Sequence, residues 1–178
     1  SVVAGSSGND TFVASYPVDI NVSLTQAGFP FENSQTIESS PIAIDIDNDG
    51  DLEIFFGDYG GFVHGLDDQG NVLPGFPVEL DGDDSKQIWG SIAAGDIDGD
   101  GEIELVVTCK NRHVYAISTT GNIEMDFNSG QFLMGTPALA DVDGDGLDEI
   151  IVSGYSSSGD LFAVNHDGTL VDGFPASI

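Results

Sequence analysis

Short apolar segments alternate with polar turns along the chain, and no stretch has the periodicity of an amphipathic helix. Three times, an apolar segment is followed by an Asp-rich loop, two further apolar segments and a turn that ends in glycine. The second segments are LEIFFG, IELVVT and DEIIVSG, and the turn glycines are Gly70, Gly121 and Gly168. Short segments joined by glycine turns are typical of antiparallel hairpins. The pattern therefore predicts an all-β protein.

The strands form a long repeat with one Asp-rich loop in each copy. The loops begin at Asp45, Asp96 and Asp141, which are 51 and then 45 residues apart. Each repeat ends with a fourth apolar segment, NVLPGFP, NIEMDF or TLVDGFP. Four short antiparallel strands in a repeat of this length indicate a β-propeller blade, with a β-sandwich as the alternative. The predicted blades span residues 31–80, 81–130 and 131–178.

Residues 1–30 are interpreted as a partial N-terminal blade that contains only its back strands. SVVAGSSGNDTFVAS aligns with EIIVSGYSSSGDLFAVN of the third repeat, and AGFP at 27–30 repeats the GFP of 75–77 and 173–175. This part of the chain has no first strand and no Asp-rich loop. An incomplete blade exposes an unpaired strand edge, which invites pairing. We therefore expect an intermolecular or additional-chain contact at the partial blade.

Each Asp-rich loop has the same arrangement of acidic residues and glycine. Counted from the first Asp, positions 1, 3 and 5 are Asp, position 6 is Gly and position 9 is Glu. Alternate carboxylates on a tight turn converge, and Ca²⁺ prefers six to eight such oxygen ligands. Position 7 varies, which suggests that it contributes its backbone carbonyl. The predicted ligands of three Ca²⁺ sites are Asp45, Asp47, Asp49, Asp51 and Glu53 (loop 45–53); Asp96, Asp98, Asp100, Glu102 and Glu104 (loop 96–104); and Asp141, Asp143, Asp145, Leu147 and Glu149 (loop 141–149).

The main alternatives to these calcium sites differ in how well they fit the loops. An EF-hand requires Glu at position 12 and flanking helices. Position 12 is Phe56, Val107 or Val152, and the predicted flanks are strands, so an EF-hand is excluded. Acidic turns that bind nothing remain an alternative. General acid–base catalysis is disfavoured because identical groups recur at equivalent positions, and we predict that the chain is not an enzyme.

The stretch IWGSIAAGDIDGDGEIELVV resembles the FG-GAP repeat of integrin α-subunit propellers and the related VCBS repeats of secreted bacterial proteins. The resemblance covers residues 31–178. It implies that each loop joins the first two strands of a blade and binds Ca²⁺ through the aspartates and glutamates named above. The chain differs in having Glu rather than Asp at position 9, which lengthens one ligand arm, and in having too few blades for a closed ring.

Charge and apolar content exclude several other classes of function. The chain has 31 acidic and 3 basic residues and a net charge of −28, which opposes non-specific binding to nucleic acids or anionic membrane surfaces. No apolar run approaches the roughly 18 residues of a membrane-spanning helix. The single cysteine, Cys109, leaves no intramolecular disulfide, and its setting in ELVVTCK predicts a buried strand residue, with a reactive thiol as the alternative.

Histidines and aromatic residues give weaker indications. The histidines fall at different repeat positions, which argues against a shared histidine metal site; they are His64, His113 and His166. Aromatic residues near strand ends are expected to pack between blades, with an exposed platform for sugars as the alternative, Trp89 first. These residues are Trp89, Phe29, Phe76, Phe127 and Phe174.

The leading hypothesis is a non-catalytic, calcium-binding propeller module of a secreted or cell-surface protein. Its expected role is adhesion or recognition of a protein or carbohydrate ligand. One alternative is a self-assembling subunit of an extracellular fibre that is joined through the incomplete blade. Another is a set of accessory repeats in a larger secreted enzyme.

Overall fold

All regular secondary structure in the described part of the chain is β-strand. The computed structural model describes Gln26, residues 28–82, 85–157 and 159–177, and the backbone of two short N-terminal strands. The strands are β1 (Val2–Val3), β2 (Val13–Ala14), β3 (Ile42–Ile44), β4 (Glu53–Gly57), β5 (Phe62–Leu66), β6 (Val78–Glu79), β7 (Ala93–Gly95), β8 (Glu104–Thr108), β9 (His113–Ser118), β10 (Ile123–Asn128), β11 (Phe132–Leu133), β12 (Ala138–Ala140), β13 (Glu149–Tyr155), β14 (Asp160–Val164) and β15 (Ala176–Ser177). In these residues, no helix is long and apolar enough to cross a membrane.

Three antiparallel sheets follow one another along the chain. Blade 1 has the order β3-β4-β5-β6, blade 2 has β7-β8-β9-β10, and blade 3 has β12-β13-β14-β15. Each strand pairs with its neighbour in sequence, so every blade is a four-stranded meander. In blade 3, β11 also pairs with the far end of β13, beside β12. The predicted all-β fold with four-stranded antiparallel blades is confirmed.

The fourth strand of blades 1 and 3 lies later in the sequence than we predict from the apolar pattern. The predicted segments make only isolated bridges, between Leu66 and Val72 and between Val164 and Leu170. The paired strands are β6 and β15, which follow the GFP segments. In both segments a turn interrupts the ladder: the N–H groups of Phe76 and Phe174 donate to the carbonyl oxygens of Leu73 and Val171, around glycines with φ of 86° and 93°. The corresponding segment of blade 2 has Asp126 in place of this glycine and forms the strand β10.

Side chains on opposite faces of blade 2 enter two different hydrophobic cores. Strand β8 is buried along its whole length. Leu105 and Val107 lie in the core shared with blade 1, whereas Val106 lies in the core shared with blade 3. Because strand side chains alternate between faces, one apolar run supplies both cores. Burying one Val or Leu side chain stabilises the fold by about 1.5–3 kcal/mol, so both interfaces hold the blades together.

The N-terminal strands β1 and β2 pair with each other in an antiparallel hairpin. Val2 lies opposite Ala14, and Val3 lies opposite Val13. The remainder of residues 1–25 lies outside the described part of the chain. The interpretation of residues 1–30 as a partial blade with an intermolecular contact therefore stays a prediction.

Candidate metal centres

Each Asp-rich loop connects the first and second strands of its blade. The loops leave β3, β7 and β12 and enter β4, β8 and β13, whose first residues are the position-9 glutamates. The last residue of the first strand lies opposite this glutamate in each sheet, as Gly95 lies opposite Glu104. This pairing brings position 1, which follows the first strand, close to position 9. All three loops therefore lie at the same end of their sheets, where the first strand ends and the second begins.

Hydrogen bonds within each loop fix a tight turn around position 1. The N–H of the position-6 glycine donates to Oδ2 of the position-1 aspartate, at 3.1 Å for Gly50, 3.0 Å for Gly101 and 3.2 Å for Gly146. These glycines have φ angles of 97°, 93° and 97°, which side chains disfavour. An added Cβ would meet no described atom within 4 Å. Backbone conformation, rather than lack of space, therefore accounts for glycine at position 6.

The aspartates at positions 1 and 3 and the glutamate at position 9 converge in every loop. Each offers a carboxylate oxygen, and the three oxygens lie within 4.8 Å of one another. The clusters are Asp45, Asp47 and Glu53; Asp96, Asp98 and Glu104; and Asp141, Asp143 and Glu149. Carboxylates this close repel one another unless a cation lies among them. The clusters could therefore hold three metal ions.

Positions 5 and 7 are not part of these convergent clusters. The position-5 carboxylate accepts a hydrogen bond from the position-7 N–H, at 2.9 Å in the first loop, 2.8 Å in the second and 2.9 Å in the third. The structure therefore gives position 5 a role in shaping the turn. The predicted ligands concerned are Asp49, Asp51, Asp100, Glu102, Asp145 and Leu147.

The glutamate at position 9 is buried in all three loops. Glu53, Glu104 and Glu149 are 7%, 3% and 1% exposed. In each, Oε2 accepts a hydrogen bond from the N–H of position 2, at 2.8–3.1 Å. Burial raises the pKa of Glu104, and the negative charges of Asp98, Glu124 and Asp100 raise it further. A bound cation would offset both the burial of the Glu104 carboxylate and its repulsion by the neighbouring acids.

A buried carboxylate oxygen in the first loop has no hydrogen-bond partner in the described residues. This atom is Oδ1 of Asp45. The equivalent oxygens of Asp96 and Asp141 accept from the position-4 N–H of Gly99 and Gly144, at 2.7 Å in both cases. An unpaired buried carboxylate oxygen is costly, and it is a hard donor suited to a divalent cation such as Ca²⁺. The donor set of this loop therefore fits a metal ion.

Sequence reasoning misses one acidic residue beside the second loop. Burial raises the pKa of Glu124, with further contributions from Asp98 and Asp100. Glu124 lies in β10, where the first and third repeats have Leu73 and Val171 at the same alignment position. Because the acid occurs in a single repeat, the repeat pattern gives no signal for it.

The metal clusters found in the described residues contain no histidine. His64 instead pairs with Asp58, and His113 pairs with Asp126. Cys109 is fully buried, as predicted, but it lies one residue beyond the end of β8 rather than in the strand.

The exposed indole of Trp89 stacks on Tyr59, with ring centroids 5.3 Å apart. Trp89 is 42% exposed, and the Lys110 Nζ lies 6.0 Å from its ring centroid. The contact joins the turn after β4 to the segment that precedes β7. Phe76, in contrast, is 8% exposed and packs in the core between blades 1 and 2, as predicted.

The chain is similar to several solved structures. The crystal structure of BBS1N in complex with ARL6DN, soaked with mercury, is 16% identical over 74% of this chain and 38% of that chain, with a TM-score of 0.52. BamB from Moraxella catarrhalis is 19% identical over 73% of this chain and 33% of that chain, with a TM-score of 0.49. The lead-soaked form of the BBS1N complex is 13% identical over 82% of this chain and 57% of that chain, with a TM-score of 0.44.

These likenesses concern the fold. The first likeness, together with the four-stranded blades, identifies the chain as a protein of the β-propeller class. The chain spans between a third and three fifths of the length of these structures. No family model and no curated protein sequence matches it.

Proposed function

We propose that the three Asp-rich loops bind Ca²⁺ and that the chain is a non-catalytic propeller module acting outside the cytosol. The observation that carries this proposal is the convergence of three carboxylates in each of three equivalent loops. The resemblance to FG-GAP and VCBS repeats supports calcium as the ion and an extracellular or cell-surface location. Its role is recognition of a protein or carbohydrate ligand.

The carboxylates at positions 1, 3 and 9 would hold the ion in each loop. The position-5 carboxylate is a further oxygen donor that the family resemblance assigns, and position 7 would add the backbone carbonyl that its variable side chain suggests. Ca²⁺ accepts six to eight oxygens in flexible geometry, whereas Mg²⁺ demands a tight octahedron and retains waters. Loops that offer several carboxylates and a backbone carbonyl therefore favour Ca²⁺. The ion supplies positive charge that neutralises the cluster and joins the first two strands of the blade.

Affinity in the range of extracellular calcium modules is expected for these exposed loops. Such modules bind with dissociation constants of about 10⁻⁴–10⁻³ M. Sites of this strength would be filled outside the cell and empty in the cytosol. Catalysis is not part of the proposal, because the clustered acids recur unchanged in each blade and leave no distinct acid–base pair.

Calorimetric titration of the purified chain with CaCl₂ tests the proposal. We expect three bound ions per chain and two in Asp98→Ala, which removes one clustered carboxylate and leaves no oxygen ligand in its place. Asp81→Ala, at an exposed aspartate outside the loops, is the matched control and should retain three. A stoichiometry of zero or one, or equal binding by Asp98→Ala and the parent chain, would contradict the calcium sites. Titration with MgCl₂ should give weaker binding.

A further inference from the structure

Two glycines meet backbone to backbone where blade 1 packs against blade 2. Gly75 belongs to the GFP segment of blade 1, and Gly121 ends the turn between the third and fourth strands of blade 2. A Cβ on Gly75 would lie 2.1 Å from the Thr120 carbonyl oxygen, and a Cβ on Gly121 would lie 2.5 Å from the Gly75 oxygen. Neither position has space for a side chain. We call this contact a glycine joint.

The preceding GFP segment makes a second glycine joint with blade 1. A Cβ on Gly28 would lie 1.8 Å from the Gln69 carbonyl oxygen. A Cβ on Gly70, the turn glycine of blade 1, would lie 2.7 Å from the Gly28 oxygen. Two GFP segments therefore seat in the same way on the turn glycine of the blade that follows them.

Blades 2 and 3 meet without a glycine joint because blade 2 lacks a GFP segment. Asp126 occupies the alignment position of Gly75. The turn glycine of blade 3, Gly168, would place a Cβ 3.6 Å from Cγ of Met125, an ordinary contact distance. At this turn, close backbone contact thus accompanies the glycine of the GFP segment and is replaced by side-chain packing where that glycine is missing. Blades 2 and 3 make their close backbone contact elsewhere, before their first strands, where a Cβ on Gly90 would lie 2.4 Å from the Gly135 carbonyl oxygen.

The third GFP segment, at the outer face of blade 3, makes no such joint. Gly173 is exposed, and a Cβ on it would meet no described atom within 4 Å. Its φ of 93° matches the 86° of Gly75, so the segment already has the joint conformation. A groove of about 580 Å³ lies beside it. Its lining combines the apolar side chains of Leu170, Val171 and Phe174 with polar groups from the third acidic loop and from Asn165 and Asp172.

The position-2 residues of the acidic loops also indicate that the outer face of blade 3 is uncovered. Ile46 packs against the core between blades 1 and 2, and Ile97 is 1% exposed in the core between blades 2 and 3. The equivalent residue of blade 3, Val142, lines the groove and is 46% exposed. Each preceding blade therefore buries this residue against a neighbour, and blade 3 does not.

We propose that the outer face of blade 3 is the docking surface for a further blade of this repeat type. That blade must carry a glycine at the end of the turn between its third and fourth strands, because a glycine joint accepts no Cβ on either side. The chain's N-terminal segment does not meet this requirement. Between Gly8 and Gly28, its sequence contains no glycine.

A second copy of the chain does not offer a suitable turn glycine from its described blades. Gly70 and Gly121 are already engaged in glycine joints, and Gly168 is packed against Met125. The occupant is therefore a separate blade with a free glycine turn.

A chain extended by one blade tests this surface. In blade 1, the fourth strand Val78–Glu79 is followed by Leu80, and in blade 3 the fourth strand Ala176–Ser177 is followed by Ile178. A second copy of residues 81–130 attached after Ile178 would therefore repeat the natural junction between blades 1 and 2. Hydrogen–deuterium exchange of the peptide that contains residues 168–175 reports whether the added blade covers the groove.

We expect exchange in this peptide to slow by about tenfold or more in the extended chain. The matched control carries Asn in place of the added copy of Gly121. Asn tolerates a positive φ, but its Cβ blocks the joint. Gly173→Asn in the extended chain blocks the joint from the other side, and both variants should lose the protection.

Equal protection in the glycine and asparagine versions would overturn the proposal, and so would an unfolded or undocked added blade. Sedimentation of the chain without the added blade tests whether a second copy of the chain occupies this surface instead. A concentration-dependent dimer that is abolished by Gly173→Asn would assign the surface to a second copy and would also overturn it.

Discussion

Asp58 shows how one buried carboxylate fixes several segments of blade 1. It is 1% exposed, and its Oδ1 accepts from the N–H groups of Gly60, at 2.8 Å, and Phe62, at 3.0 Å. Its Oδ2 lies 3.0 Å from Asn33 Nδ2 and 2.9 Å from His64 Nε2. Burial by itself raises the pKa of Asp58, but hydrogen bonds from Asn33, His64 and Phe62 outweigh it and lower the pKa. The ionised form is therefore the one that the fold stabilises.

Asp58→Asn should destabilise the protein in a pH-dependent manner. Because the pKa of Asp58 is lower in the folded state, its contribution is complete above the unfolded pKa of about 3.9 and is lost as pH falls through the folded value. We expect the substitution to lower the free energy of unfolding at pH 7 by about 1–3 kcal/mol. The reason is that the amide group of the new side chain would place N–H donors against existing donors, such as Asn33 Nδ2 and His64 Nε2. Urea unfolding at several pH values between 7 and 3 measures this.

The difference in the free energy of unfolding between the parent chain and Asp58→Asn should become smaller below about pH 4. Asp172→Asn, at an exposed site, should leave stability unchanged within about 0.5 kcal/mol. A difference that stays constant across the pH range would show that the charge of Asp58 plays no part.

Cys109 should react slowly with thiol reagents while the protein is folded. Burial raises its pKa to about 11. Because the thiolate is the reactive form and an exposed cysteine has a pKa of about 8.5, the folded protein should react more than about 100-fold more slowly at pH 8. Reaction with a chromogenic disulfide in buffer and in denaturing urea measures the ratio. Similar rates in both conditions would favour the reactive-thiol alternative.

At the scale of strands and turns, two kinds of contact join neighbouring blades. Alternation along β8 distributes its side chains between two cores, so this strand joins blade 2 to both of its neighbours. The turn glycines add a second form of contact, in which backbones meet directly. The glycine joint between Gly75 and Gly121 therefore makes the interface of blades 1 and 2 sensitive to a single added carbon.

Gly121→Asn should destabilise the protein more than Gly168→Asn. Both turn glycines have positive φ, 84° and 81°, so any backbone strain is similar. A Cβ at Gly121 would lie 2.5 Å from a backbone oxygen, whereas one at Gly168 would lie 3.6 Å from a flexible methionine. Overpacking costs about 1–3 kcal/mol, and we expect a loss of that size for Gly121→Asn alone. Urea unfolding compares the two, and equal losses would show that the joint adds no constraint.

At the scale of the whole molecule, the chain carries a large excess of negative charge. Its net charge is −28, and its three basic residues lie away from the acidic loops. Lys86 pairs with Glu79 at 2.6 Å, Lys110 lies over Trp89 and Arg112 lies over Phe132. None of these contacts involves a residue of the loops that carry the carboxylate clusters. Neutralisation of the loops therefore depends on ions from solution.

Removal of Ca²⁺ should lower the melting temperature by more than about 10 °C. Filling one site to 100 times its dissociation constant stabilises a protein by about 2.7 kcal/mol, and 1 kcal/mol corresponds to about 2–4 °C for a chain of this size. Three sites would act together. Calorimetric scans in CaCl₂ and in EDTA measure the change.

Sodium chloride should restore only part of this loss. Screening acts over a Debye length of about 10 Å at 0.1 M salt, whereas the clustered oxygens lie within 4.8 Å of one another. The melting temperature is therefore also measured in EDTA with NaCl at about 0.5 M, roughly five times that salt concentration. Full recovery under these conditions would instead favour acidic turns that bind no specific ion.

The sequence by itself determined the first three strands of each blade, the turns and the positions of the acidic loops. Their causes are local: β-sheet alternation, positive φ at turn glycines and carboxylates spaced within nine residues of one another. Such features act over a single hairpin and repeat in each blade. The all-β propeller class and the three candidate metal centres therefore follow from the printed sequence.

Only the tertiary structure decided which elements complete the blades and which groups meet. Turns around Gly75 and Gly173 place the paired fourth strands of blades 1 and 3 beyond the predicted segments, at β6 and β15. The loop fold brings the carboxylates of positions 1, 3 and 9 together. Pairing of Gly75 with Gly121 joins residues far apart in sequence. No local pattern encodes that contact, because its geometry is set by how one blade packs against the next.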